Sequence, residues 1–165
     1  MLHNNRLHRA DGQTAGNERI NNLTRVVFMV VSYSNNLSVE EYCKLRKSVQ
    51  WSDIPTDIVQ KALEKSDYII SAEVDGVKVG MARLMTDWTQ ALVMDVVVNP
   101  DYQGNGIGKA MMSRIMEYLT DNLHSGQRLL INLNATKGRE LFYAQFGFEI
   151  RPSEILGMGM AQWLG

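Results

Sequence analysis

The segment Val96-Val97-Val98-Asn99-Pro100-Asp101-Tyr102-Gln103-Gly104-Asn105-Gly106-Ile107-Gly108-Lys109-Ala110 leaves the chain few ways to fold. Three valines read as an apolar strand, Pro100 opens a turn, and glycines alternate at 104, 106 and 108. Beyond them Ile107, Met111, Met112, Ile115, Met116 and Leu119 recur at helical spacing on one face. The chain must therefore pass from strand to helix through a glycine-rich turn. The first amides of such a helix lack intrachain partners. Glycine lets the backbone come close to a ligand, and the helix dipole favours an anion there. The segment is either a tight turn and nothing more, or a phosphate cradle over residues 103–109.

Two familiar phosphate loops do not fit. The P-loop pattern Gly-x-x-x-x-Gly-Lys-Ser/Thr would need glycine at Gln103 and a hydroxyl at Ala110. The dinucleotide fingerprint Gly-x-Gly-x-x-Gly is broken by the spacing of Gly104, Gly106 and Gly108, and its strand would open a domain rather than fall past mid-chain. What is present is Gln-x-x-Gly-x-Gly, formed by Gln103, Gly106 and Gly108. This resembles the signature of the GNAT acetyltransferases, whose loop holds the pyrophosphate of acetyl-CoA. Val96–Gln103 resembles the family's preceding strand and turn. Glu140-Leu141-Phe142-Tyr143-Ala144-Gln145-Phe146-Gly147-Phe148-Glu149 resembles its second hallmark, and Leu45-Arg46-Lys47-Ser48-Val49-Gln50-Trp51 the end of a first helix in a bacterial and plastid branch. Together these parts span about residues 27–164 in the family's order.

The resemblance implies an α+β fold, a mixed sheet with helices on both faces whose fourth and fifth strands splay apart to hold acetyl-CoA as cosubstrate. It implies that backbone groups of Val96, Val97 and Val98 pair with the pantetheine arm. Gln103, Gly104, Asn105, Gly106, Ile107, Gly108 and Lys109 would hold the pyrophosphate. Tyr143 would be the general acid beside the coenzyme sulfur, a task that a phenol with an ordinary pKa of about 10 performs without ionising at neutral pH. One departure stands out. Where many family members carry a pantetheine-contacting Asn seven residues before the tyrosine, this chain has Thr136, a residue suited to capping the last helix.

No histidine falls on the two central strands, since His3, His8 and His124 lie in polar segments. Asp95 does, among apolar neighbours. It could act as a base, directly or through water, or it could anchor a structural hydrogen-bond network. Tyr33, Trp51 and Asp53, with Trp163, are candidate walls for the acceptor, the aromatics for an apolar stem and Asp53 for a cationic amine; for each the structural reading is the stronger of the two. The expected activity is acetyl transfer to a primary amine, a small molecule first. A protein lysine or N-terminal amine is the alternative, and a non-catalytic acyl-CoA sensor the reading from another class. No metal is called for.

With 17 basic and 18 acidic side chains in 165 residues, the chain offers no general nucleic-acid surface. Its one cysteine, Cys43, excludes a disulfide framework, suits the cytoplasm, and sits on an amphipathic helix as a structural thiol. The longest strongly apolar run, Val26–Val31, is far short of the roughly 20 residues that span a bilayer. A monomer or homodimer is expected. Residues 1–25 are polar, Asn-rich and without apolar periodicity, so they read as a disordered extension ahead of one domain over 26–165. Within that domain strands are expected at Val27–Tyr33, Tyr68–Val74, Val77–Met85, Ala91–Val98, Arg128–Leu133, Phe148–Arg151 and Gly157–Trp163. Helices are expected after the capping box Ser38-Val39-Glu40-Glu41, after Pro55, after the glycines, and over Lys137–Gln145.

Overall fold

The computed structural model describes residues 29–163. The extension expected over 1–25 and the first residues of the expected first strand lie outside the described residues. Within them β1 (Ser32–Ser34), β2 (Tyr68–Val74), β3 (Val77–Thr86), β4 (Gln90–Val98) and β5 (Leu130–Leu133) form one sheet in that order. The first four strands pair antiparallel and β4 pairs with β5 in parallel. Asp75 and Gly76 both take positive φ, 49° and 78°, which is how a two-residue turn matches the twist of the β2–β3 hairpin.

The helices divide between the faces because side chains alternate along the strands. On one face Met81 and Val97 meet Tyr42 and Leu45 of α1 (Val39–Ser48) and Val59 and Leu63 of α2 (Thr56–Glu64). On the other, Ile70, Ala72, Ala82, Leu84, Ala91 and Val93 bury Ile107, Met111, Met112, Ile115 and Leu119 of α3 (Ile107–Asn122). Burying each of the Val, Leu, Ile and Met side chains among these contributes roughly 1.5–3 kcal/mol. The capping box works in both directions. Ser38 Oγ accepts from the Glu41 amide at 3.2 Å, and Glu41 Oε2 accepts from the Ser38 amide at 2.8 Å. Pro55 takes the N-cap position of α2 rather than its first turn.

The C-terminal third departs from expectation. The last helix, α4, spans only Glu140–Ala144, because Gly138 at φ 84° breaks the run and Arg139 becomes its N-cap. Thr136 supplies a carbonyl to the Arg139 amide at 2.9 Å and no side-chain cap. No strand forms over Phe148–Arg151 or Gly157–Trp163. Pro152 lacks an amide hydrogen, and Gly157 and Gly159 interrupt the apolar positions, so neither run offers a continuous ladder. Trp163 is 98% exposed.

Candidate active site

The site begins with one extra residue in β4. Met81 faces Val97 and Arg83 faces Met94, so two steps on β3 are matched by three on β4. Asp95 takes up the surplus at φ 51°, a left-handed conformation that Asp tolerates better than most residues. Such a bulge bends a strand and sharpens its twist. Pairing between β4 and β5 runs from Gln90–Leu130 to Val93–Leu133 and stops there, just before the bulge. Beyond it, residues 94–98 diverge from β5 and a cleft of about 640 Å³ opens.

Val96, Val97 and Val98 line this cleft, together with Gly104, Gly106, Ile107, Gly108 and Lys109 at the start of α3 and Phe142 and Tyr143 of α4. The structure thus gathers most of the residues expected at the coenzyme. Ala110 is the first amide of α3 to bond back, to Gly106 O at 2.9 Å, which leaves the amides of residues 107–109 as the helix's unsatisfied donors. Gln103 also borders the cleft, but its carboxamide donates to Val98 O at 2.9 Å and ties the loop to the strand. Asn105, which does not line the cleft, bonds its own turn through Tyr102 O and Gln103 O.

The glycines do different jobs. Gly106 sits at φ 76°, lines the cleft, and a Cβ there would meet nothing within 4 Å. Gly108 has ordinary φ, but a Cβ would stand 3.3 Å from the Phe142 ring; it lets α3 and α4 approach. Gly106→Val is therefore expected to fold, less stably by about 1–3 kcal/mol for the strained conformation. It should weaken coenzyme binding by roughly tenfold or more, a cost of about 1.4 kcal/mol or above. Calorimetric titration of the folded variant with CoA checks this; unchanged affinity would move the phosphate site elsewhere.

Tyr143 is half-buried, with Phe142 edge-on at 4.9 Å and Phe148 at 6.3 Å between ring centroids. Burial pushes its phenol above the usual 10, and Arg139, four residues earlier, pulls in the opposite direction. The proton therefore stays on the oxygen at neutral pH. Tyr143 also borders a second cavity, of about 720 Å³, between β5 and the C-terminal segment.

Asp95 is tied into a network. Its Oδ2 accepts from Arg83 Nε at 2.7 Å and from Tyr42 hydroxyl at 2.7 Å, and its Oδ1 lies 3.6 Å from Arg46 Nη1. Arg83 is almost wholly buried and also donates to Ala62 O and Ser66 Oγ. Burial and the bond to Asp95 raise the Tyr42 pKa, which keeps it a phenol donor. Of the two readings open for Asp95, these contacts describe the network.

The acceptor walls separate. Trp51 lines the cleft with the Arg46 guanidinium carbon 5.0 Å from its ring centroid. Tyr33 lies on the α3 face, 3.9 Å from the guanidinium carbon of Arg114, because Ala72, its partner in register, points to α3. Asp53 is exposed, and neither it, Tyr33 nor Trp163 borders the cleft. Ser48, Val49, Gln50, Thr136, Arg139 and Gln145 do, although none was expected to. Arg139 had one legible signal, its position one helical turn before Tyr143. Among the described residues no group of three His, Cys, Asp or Glu side chains could hold a metal, and no helix is long and apolar enough to cross a membrane.

The family model described as Acetyltransferase (GNAT) domain matches residues 65–150. The chain is 32% identical over 133 residues to an uncharacterized N-acetyltransferase, ycf52, of Pyropia yezoensis, covering 78% of this chain and 74% of that one. It is 29% identical over 146 residues to histone acetyltransferase TAP1 of Glycine max, covering 79% and 60%. A crystal structure of a GNAT-family protein from Xanthomonas campestris superposes with a TM-score of 0.66 at 30% identity, covering 82% of this chain and 94% of that one.

Proposed function

Since the chain belongs to the GNAT acetyltransferases, enzymes that use acetyl-CoA as acyl donor, we propose that it acetylates a small primary amine in the cleft between β4 and β5. One observation carries the reading: a single cleft has the free amides of α3 at one end and Tyr143 in its wall. The free amides of residues 107–109 take the pyrophosphate, favoured by the dipole of a 16-residue helix. The pantetheine arm lies along Val96, Val97 and Val98, where β4 has left β5.

In the reaction the neutral amine nitrogen attacks the thioester carbonyl carbon. A C–N bond forms and the C–S bond breaks. The Tyr143 hydroxyl gives its proton to the departing sulfur and is reprotonated from solvent, while the amine's surplus proton leaves to water. Trp51, at the α1 end of the cleft, walls the acceptor. Asp95, bonded to Arg83 and Tyr42, anchors the bulge from within the network.

A protein amino group is the second reading, favoured by the likeness to a relative named histone acetyltransferase. Either substrate is met by a monomer or homodimer without nucleic acid or membrane, and the half-buried free thiol of Cys43 suits the cytoplasm. A screen with labelled acetyl-CoA over amines, amino acids, aminoglycosides and peptides tests the assignment. Transfer to small amines supports it, transfer to peptides alone favours the second reading, and tight coenzyme binding with no transfer to any acceptor would leave a sensor.

A further inference from the structure

Helix α1 ends in a motif built for another residue. The Gln50 amide bonds Lys47 O at 3.0 Å and the Trp51 amide bonds Arg46 O at 3.1 Å, a paired closure that puts the residue after the helix in the left-handed region, where glycine is the usual occupant. Gln50 sits there at φ 61°. A side chain at such a position lowers stability relative to glycine. Strain of this kind gathers where a side chain has a task.

The location supplies a task. Gln50 is exposed and lines the cleft beside Trp51 and Val96. Of the polar side chains just before it that line or back the cleft, Ser48 Oγ donates to Leu45 O at 2.7 Å and Arg46 Nη2 to Ser52 O at 3.0 Å, while Lys47 is exposed. No described residue takes the Gln50 carboxamide. Arg46, whose guanidinium carbon lies 5.0 Å from the Trp51 ring centroid, is itself paired with Asp95, as is Arg83. A carboxamide offers one oxygen acceptor and an N–H₂ donor in one plane, the complement of another amide.

We propose that Gln50 is a specificity-determining residue, whose carboxamide pairs with a neutral amide carried by the amine acceptor. This rests on the acetyltransferase reading and names the acceptor class within it: a primary amine with an amide set back from the reacting nitrogen. The full-length protein is assayed with two acceptors of similar reach, Nα-acetyl-lysine methylamide and n-pentylamine. The native enzyme is expected to prefer the first. Gln50→Gly should keep or raise the melting temperature and leave the acetyl-CoA KM within about twofold. It should lower kcat/KM for the lysine amide about tenfold, the loss of roughly one good hydrogen-bonded pair, and leave n-pentylamine unchanged. Gln50→Asn tolerates the left-handed backbone but is shorter, and should fall between.

Equal losses for both acceptors, no loss, or a raised acetyl-CoA KM would each overturn the proposal, the last by placing Gln50 on the coenzyme. An enzyme that acetylates other amines but neither of these overturns it while leaving the acetyltransferase reading intact. Transfer to no amine at all overturns both.

Discussion

Tyr143→Phe is expected to lower turnover by roughly 10²–10⁴-fold, the range for a lost positioned proton donor, with little change in stability or CoA affinity. The substitution keeps the ring that Phe142 and Phe148 hold edge-on and removes only the oxygen. Burial raises the phenol's pKa above its usual 10 and Arg139 only partly offsets this, so the acid is loaded throughout the neutral range. The sign follows: a group that must be protonated to act, with a raised pKa, loses activity only as pH climbs past about 10. Tyr143 ionisation should therefore leave no alkaline limb in turnover below that point. The defect of the Phe variant should shrink with an acyl donor whose thiol has a lower pKa, because that sulfur departs without needing a proton. Steady-state rates with acetyl-CoA and an acceptor from the screen decide it. Normal turnover by the Phe variant would make Tyr143 a packing residue and send the acid elsewhere.

The parts of this molecule legible in sequence are those written in local chemistry. The capping box at Ser38, the Asp75-Gly76 hairpin and the apolar stripe of α3 each depend on residues within a few positions, and each formed where the spacing placed it. The glycine-rich turn was legible for the same reason, Tyr143 through the resemblance of its segment to a family hallmark, and the fold brings both to one cleft. The network around Asp95 was not. Its partners Tyr42 and Arg83 lie 53 and 12 residues away, and the bulge that aims Asp95 at them is a property of register between β3 and β4. Tyr33 failed as an acceptor wall on a matter of parity, since alternation along a strand decides which face a side chain takes. Runs 148–151 and 157–163 carried apolar residues enough for strands, but strand formation there needed uninterrupted amides and a pairing partner as well.

Asp95→Ala is expected to cost about 3–5 kcal/mol, the range for removing one partner of a buried ion pair. The size comes from what remains. Arg83 is 6% exposed and would keep its charge with only Ala62 O and Ser66 Oγ for partners, while Tyr42 would lose its acceptor. Thermal unfolding should show a fall of roughly 6–20 °C in Tm for a chain of this size. Asp95→Asn separates charge from backbone geometry, because Asn also tolerates the left-handed bulge position. If Asp95 serves the network, the Asn variant loses stability, yet its folded fraction at low temperature should turn over within about tenfold of the native enzyme, well short of a lost acid–base group. If Asp95 is instead the base, the Asn variant would keep most of its stability and lose both its turnover and the acidic limb of its pH profile. The two outcomes differ in which measurement moves, so one variant carried through unfolding and kinetics decides between them. The contacts at 2.7 Å to both Arg83 and Tyr42 favour the first, because the Oδ2 that would meet an incoming ammonium is already occupied by two donors within the protein.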